Sequence, residues 1–516
     1  MGTQQEPTNL LPDGEGSEMT RKALIGSLAG AAAMSVAVLP ASPALAHQAD
    51  GDLPSATRGV SVADTGTGKK MSHVANLQYD DSGEAQSGSD IEFVKVGSKE
   101  YALAGTLKKG MQIVDITNPR KPRRAAVYDC DISQGDIQVW KHGRRILASY
   151  TADGTFGAAG AASRCARDLN LGSDASGTVI VDITTPTSPQ TVSFLPVPRG
   201  SHNMTIHPSG DYLYNSNSDL ITSTSPTITI YDISQPKSPK KVRDYPIPFV
   251  PASLGSESHD VTFNASGTRA YSAALSQTLV LDTTSPERPK QISQIVDPSI
   301  NVVHQSDPVT LTRKNGTKRE VLVITDERAG AAASAECPGG GLHLYDITGD
   351  KEKAPEKIGT WFIPTVMPQA GTTCTSHVLR MYPRQKMMTI AWYGQGVRVL
   401  DISGLATFQG GPTSVGIGDG VGMREIGNYV FPDSDTWSFK TNRIAANGSF
   451  FGYGNDLTRG FDVYRFRGAG LSVPPLSPKV LGDEARASVR GNMASLAIVA
   501  PALLFAIGLR RRNRKR

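Results

Sequence analysis

The stretch "TIYDISQPKSP", residues 229–239, is one of several near-copies of a single phrase in this chain. "QIVDITNPRKP" stands at 112–122, "VIVDITTPTSP" at 179–189, "LVLDTTSPERP" at 279–289 and "HLYDITGDKEKAP" at 343–355. Shorter versions are "RVLDISG" at 398–404 and "GFDVYRF" at 460–466. A phrase repeated within one chain marks a repeated structural unit, which must be read before any local pattern.

Aligned on its acid, the phrase places Asp115, Asp182, Asp232, Asp282, Asp346, Asp401 and Asp462 at intervals of 50 to 67 residues. That spacing suits propeller blades better than helical repeats. Upstream of each phrase lie two β-rich runs around a turn, as in "MTIHPSGDYLYNS" (204–216) and "VTFNASGTRAYSA" (261–273). Ser-Gly and similar pairs between alternating runs are strand–turn–strand signals. The phrase is a third strand, its prolines make the next turn, and a fourth strand follows. Four antiparallel strands per unit make a blade. The fold expected is all-β, a seven-bladed β-propeller over 72–466. Its last blade lacks a fourth strand, and "SHVANLQYDD" (72–81) is expected to supply it. The repeated Asp is read as structural, accepting hydrogen bonds from the turn that follows.

The two ends read differently. Arg21 and Lys22 precede the apolar run 23–39, and Ala44-Leu45-Ala46 is a small-x-small site, so 1–46 is expected to be a secretory signal cut before His47. Met19 is an alternative start. "MASLAIVAPALLFAIGL" (493–509) carries no charge and runs into "RRRNRKR". Residues 491–516 are therefore expected to form a transmembrane helix with a basic cytoplasmic tail. Residues 47–71 and 467–490 are expected to be flexible linkers.

The formal charge of +5 belongs to these ends. Without the two cations and four acids of 1–46 and the six cations of 491–516, the remainder is near neutrality. No basic stripe interleaved with aromatics appears, so nucleic acid is not an expected partner. Of the four cysteines, Cys165 and Cys337 lie in the long inserts 151–177 and 326–341. Cys130 and Cys374 lie in links on the same face, flanking blades two and five. The pairs expected are Cys130–Cys165 and Cys337–Cys374, each stapling an insert to its own blade in an oxidising compartment.

The phrases "QIVDITNPRKP" and "VIVDITTPTSP" resemble those of the LVIVD-repeat proteins, which are exported bacterial β-propellers. The resemblance covers about 73–466 and implies a fold and a cell-envelope location without implying a reaction. The fifth and sixth copies depart from the pattern: "DITGDKEKAP" lengthens the turn and "DISGLATFQGG" lacks the prolines.

Four histidines recur at the entry to the first strand of successive blades three to six: His202 in "GSHNM", His259 in "ESHDV", His304 in "VVHQSDP" and His377 in "TSHVL". First-strand entries line the mouth of the central channel. Four neutral imidazoles converging there could hold one transition metal, Cu, Zn or Fe. Asp260 and Asp307 are the expected acceptors that would orient these rings from behind. The competing reading is architectural, since a repeated position by itself predicts a repeated structural role. The matching positions in blades one and two carry Ser89-Asp90 and Gly135-Asp136, and "TWSF" occupies blade seven. His47, as a new N-terminus, offers a further copper-chelating pair of amine and imidazole.

No G-x-S-x-G, H-E-x-x-H or phosphate-loop pattern is present, and "VGIGDGVG" (415–422) reads as a flexible surface loop. Two functions follow. The first is a monomeric, membrane-anchored, non-enzymatic module that binds an envelope protein or glycan through its loop-rich face. The alternative is a metal-dependent enzyme, an oxidase or lyase, with His202, His259, His304 and His377 as ligands. Convergence of three or more of these nitrogens on one point discriminates between them.

Overall fold

The computed structural model describes residues 63–468, except 252, 329–336 and 368–372. Within them the chain forms a seven-bladed β-propeller of four-stranded antiparallel blades. Blade one is Gly88–Val96, Lys99–Thr106, Met111–Asp115 and Arg123–Tyr128. Blade three is Asn203–Ile206, Tyr212–Ser216, Thr227–Asp232 and Lys240–Pro246. In each blade the quoted phrase is the third strand. The first strands of successive blades neighbour one another around a closed ring, from Gly88–Val96 through Asn203–Ile206 to Thr436–Lys440.

The phrase Asp terminates its strand by a local hydrogen bond. In six copies its Oδ1 accepts the backbone N–H two residues on, at 2.9 to 3.1 Å: Asp115 from Thr117, Asp182 from Thr184, Asp232 from Ser234, Asp282 from Thr284, Asp346 from Thr348 and Asp401 from Ser403. The competition of such side chains with the ladder is what makes Asp-x-Ser/Thr a stop signal. The seventh copy differs, because Asp462 is fully buried and accepts from Arg459, His73 and Asn76. Pairing of the third strand with the fourth shifts register in blade after blade, as at Ile113/Val114, Ile230/Tyr231 and Val280/Leu281. Such bulges add twist to the outer strand and turn it away from edge pairing.

The core is distributed between blades, because a single sheet cannot bury both of its faces. Ile113, Val179 and Tyr150 pack blades one and two together. Leu213, Ile180 and Val197 pack two and three. Trp361, Trp392 and Leu400 pack five and six. Val463 and Phe461 meet Ile91 and Val114 between blades seven and one.

The strand Met71–Leu77 pairs antiparallel with Gly460–Phe466, so one four-stranded sheet holds strands from both ends of the described chain. Order begins earlier than the expected linker boundary at residue 71. Thr67–Lys69 pairs with Asn428–Val430, and Ala63 donates its backbone N–H to Asp433 at 2.9 Å. Unsatisfied edge groups on the outer strand of blade six give this segment its partners.

Two loop expectations are corrected. The insert 151–177 is partly helical: Arg164–Leu169 packs on the fourth strand of blade two, Gln190–Pro196, and Gly157–Ala162 packs on that helix. "VGIGDGVG" is sheet rather than loop. Val415–Ile417 pairs parallel with Thr360–Phe362 of blade five, and Asp419–Gly420 returns onto Met423–Val430 of blade six. Gly418 and Gly422, at φ 70° and 79°, make the reversals that a side chain would strain. Blade six thus takes its fourth strand after this detour, as the missing prolines allow. The expected signal 1–46, most of both linkers, His47 and the span 491–516 lie outside the described residues. Among the described residues no helix is long and apolar enough to cross a membrane.

Both disulfides form as paired above, Cys130–Cys165 and Cys337–Cys374. They fit an oxidising, extracytoplasmic environment.

Candidate metal centre in the central channel

The four histidines meet in one arc. Ring centroids are 4.3 Å apart for His202 and His259, 4.3 Å for His259 and His304, and 4.2 Å for His304 and His377. All four are buried. The backbone explains their equivalence. His202, His259 and His377 each donate their N–H to the last carbonyl of the neighbouring second strand, Ser216, Ala273 and Ala391. Each therefore enters its blade at the same height. His304 reaches that height from within a longer strand, at a register shift between Val303 and Gln305 that re-aims its side chain. Gly200 permits the approach of "GSHNM": at φ 80°, a Cβ there would stand 2.6 Å from the carbonyl oxygen of Asp153.

A carboxylate that the repeat does not reveal completes the set. Glu327 follows the second strand of blade five and is 1 % exposed. Its oxygens lie 3.7 Å from His304 Nε2 and 3.5 Å from His377 Nε2, and it accepts a 2.7 Å hydrogen bond from the Tyr393 hydroxyl. One ligand atom each from His259, His304 and Glu327 lies within 4.8 Å of the others. His202 Nε2 stands 3.0 Å from His259 Nε2. That separation suits a hydrogen bond between neutral rings, and it is also near the roughly 3.3 Å expected of two nitrogens on one tetrahedral zinc-sized ion.

The outer ring nitrogens are held. His202 Nδ1–H donates to Asp153 Oδ1 at 2.9 Å, and His377 Nδ1–H donates to the Trp437 carbonyl at 2.6 Å. Both rings therefore turn Nε2 inward as an acceptor. A carboxylate or carbonyl fixing the outer nitrogen is the arrangement that orients metal-ligating histidines. Burial depresses His377 to about 3, so it is neutral and carries an available lone pair.

Asp260 and Asp307 do not serve as the ring acceptors expected of them. Asp260 accepts the Val261 N–H at 2.7 Å, and Asp307 accepts from Thr262 and Gln305 at 2.7 and 3.1 Å. Residues adjacent on extended backbone point to opposite sides, which carries Asp260 away from the ring of His259. Both acids face the channel beyond the histidines. Burial raises Asp260 to about 7 and raises Asp307, with Asp307 adding repulsion at Asp260. Asp136 is raised well above the usual carboxylate range by burial and by the nearby Asp90 and Asp260.

A cavity of about 20 Å³ is lined by His259, His304 and His377 together with Asp90 and Asp136. That volume accommodates about one water molecule. Gln134, which lines the cavity, holds left-handed backbone at φ 88°, and Tyr393, whose ring lies 4.5 Å from that of His377, does so at φ 38°. Such strain persists only where the surroundings over-determine it, and it concentrates at functional sites.

The residues missed in the sequence, Asp153, Glu327 and Tyr393, each occur in one blade only. Asp153 and Glu327 lie in the two inserts whose length marks them as functional loops, and that length was the one available signal.

No protein-family model matches the sequence, and no curated protein does. Among solved structures, the chain is similar to a functionally unknown protein of Desulfotomaculum acetoxidans, at 11 % identity and TM-score 0.39, covering 63 % of this chain and 88 % of that one. It is similar to the periplasmic gluconolactonase PpgL of Pseudomonas aeruginosa, at 12 % identity and TM-score 0.45, covering 72 % and 99 %. It is also similar to the Cps50 (Swd1) β-propeller domain of Myceliophteria thermophila, at 10 % identity and TM-score 0.45, covering 73 % and 96 %. These likenesses carry no inference about the chemistry of this chain.

Proposed function

We propose that the channel of this propeller holds one transition-metal ion on His259, His304 and Glu327, flanked by His202 and His377, and that the protein is a metal-dependent enzyme. Two of the four histidines converge rather than the three set as the criterion, and Glu327 takes the third place: the observation that carries this reading is that these three ligand atoms lie within 4.8 Å of one another at a buried point. Two histidines and one carboxylate form the donor set of a catalytic zinc site that keeps a position for water or substrate. The adjoining cavity has room for one water. Copper and iron suit the same imidazole-rich set.

The enzyme would act outside the cytoplasm, as an LVIVD-repeat protein exported by 1–46 and held by the apolar run 493–509. The disulfide-stapled inserts favour a second reading, in which the loop face binds an envelope protein or glycan and the histidines are blade architecture.

Elemental analysis of the full chain, purified without a His tag or chelator, separates the two. About one equivalent of Cu, Zn or Fe, lost in His259→Ala and Glu327→Gln variants that keep the native circular dichroism, supports the metal enzyme. No metal after reconstitution overturns it and leaves the binding module.

A further inference from the structure

Beyond the histidines the channel widens into a cavity of about 980 Å³ that also touches His304. The first strands of the blades supply its polar wall, because alternate residues of each strand point inward. Blade one contributes Asp90 and Glu92, blade two Asp136, blade four Asp260 and blade five Asp307. On the same first strands stand two bases, Arg380 of blade six and Lys440 of blade seven; farther out the lining adds Glu320 and the paired Arg269 and Glu352.

The two first-strand bases are already engaged. Lys440 Nζ lies 2.5 Å from Asp90 and 3.1 Å from Glu92, and Arg380 pairs with Glu92. Asp136, Asp260 and Asp307 form no ion pair among the described residues. Asp136 accepts one long hydrogen bond, 3.4 Å from the Met204 N–H, and the bonds of the other two are to a backbone amide, a hydroxyl and a side-chain amide. Independently, Asp90 is 4 % exposed, and its Oδ2 meets no hydrogen-bond donor although the residue lines the cavity. A buried carboxylate oxygen left without a donor is costly and marks a place where a donor belongs.

We propose that this cavity binds a small organic cation with more than one ammonium group, a diamine or polyamine, whose N–H donors meet Asp136, Asp260, Asp307 and the open oxygen of Asp90. The volume lies in the range of small-molecule sites and far exceeds what one inorganic ion needs. The acids come from separate blades, so charges spaced along a chain match them better than one centre. Phe263, Tyr271 and Met381 supply apolar wall for the intervening methylenes. Burial alone favours the protonated acids; a bound ammonium draws them back to carboxylate, with release of protons, and charge-assisted hydrogen bonds of that kind are the strong ones. The site does not depend on the metal reading, since none of the four acids is a proposed ligand.

The test is calorimetric titration of the full chain with putrescine, with 1,4-butanediol as its uncharged analogue and calcium chloride as an inorganic cation. Each is run on chelator-treated and zinc-loaded protein. The expected result is saturable binding of putrescine in both forms, at least about tenfold tighter than butanediol. It should weaken by at least about tenfold in Asp136→Asn and Asp307→Asn, each checked for native circular dichroism. Equal responses to putrescine and butanediol overturn the proposal without reference to any variant. So does putrescine binding unchanged in both variants, and so does calcium binding without putrescine binding, which would make the cavity an inorganic cation site. Loss of zinc uptake with putrescine binding intact would instead count against the metal enzyme alone.

Discussion

His202 and Asp153 meet across blades two and three, the imidazole Nδ1 2.9 Å from a carboxylate oxygen, while the opposite ring nitrogen stands 3.0 Å from His259. The carboxylate settles which nitrogen carries the proton. Asp153→Asn offers a neutral amide in its place and lets the ring reverse its tautomer. Metal affinity is expected to fall about 10- to 100-fold, the usual effect of removing such an outer partner. The thermal midpoint of the metal-free protein should hardly move. Competition with a chromogenic chelator measures the affinity, and an unchanged value would mean that Asp153 only fills space.

The disulfide Cys130–Cys165 closes a span of 35 residues and ties the helix Arg164–Leu169 to the link before blade two. Cross-linking stabilises mainly by restricting the unfolded chain, and a loop of that length corresponds to about 4 kcal/mol at most. The double variant Cys130→Ala/Cys165→Ala should lose about 2–4 kcal/mol, read from the urea midpoint and slope. Limited proteolysis should then cut first within 151–177. A midpoint equal to that of the wild type would show that packing alone holds the insert.

Arg459 is fully buried and joins three parts of the chain. Its guanidinium reaches both oxygens of Asp462 at 2.7 and 3.2 Å, Asp433 at 2.8 Å and the Ala63 carbonyl at 3.1 Å, and it lies 3.5 Å over the Phe431 ring. Arg459→Ala would leave Asp462 buried with only His73 and Asn76 as side-chain partners. Removing one member of a buried pair costs about 3–5 kcal/mol. Hydrogen exchange should also rise across Met71–Leu77, whose pairing on Gly460–Phe466 depends on that corner. A loss below about 1 kcal/mol would contradict this account.

The fold was legible because its signals are local and repeated. Asp-x-Ser/Thr ends six third strands by the same hydrogen bond, and a pattern seen that often cannot be chance. The histidine arc was legible for the same reason, as one position in four blades. Glu327 and Asp153 were not, because each belongs to a single insert and repetition says nothing about inserts. The Trp437 carbonyl that holds His377 is backbone, which no residue pattern announces. Closeness in sequence to His259 and His304 suggests Asp260 and Asp307 as ring acceptors, but strand alternation decides direction, and both face the wider cavity. The 415–422 segment misled because glycines suggest a loop, whereas here they make reversals between short strands of blades five and six.

His343, buried in the third strand of blade five, gives a prediction with a definite sign. Burial and the neighbouring Lys357 ammonium, 3.0 Å from Nδ1, lower it to about 4. In the unfolded chain the same ring takes its proton near 6.5. Above pH 6.5 both states hold it neutral and it contributes no pH dependence. Between about 6.5 and 4 the unfolded state binds a proton that the fold refuses, so stability falls with pH, by about 3 kcal/mol over that window. Asp326, 3.9 Å from His343 Nε2, acts in the opposite sense. Burial raises it to about 6, so the fold takes up its proton first and gains stability as the pH drops below that value. Comparing wild type with His343→Gln removes much of this background, because Asp326 titrates in both. From pH 6.5 to 4.5 the wild type should lose about 2 kcal/mol more than the variant, measured by urea denaturation at each pH. Parallel profiles would mean that His343 is protonated in the fold, which the position of Lys357 opposes.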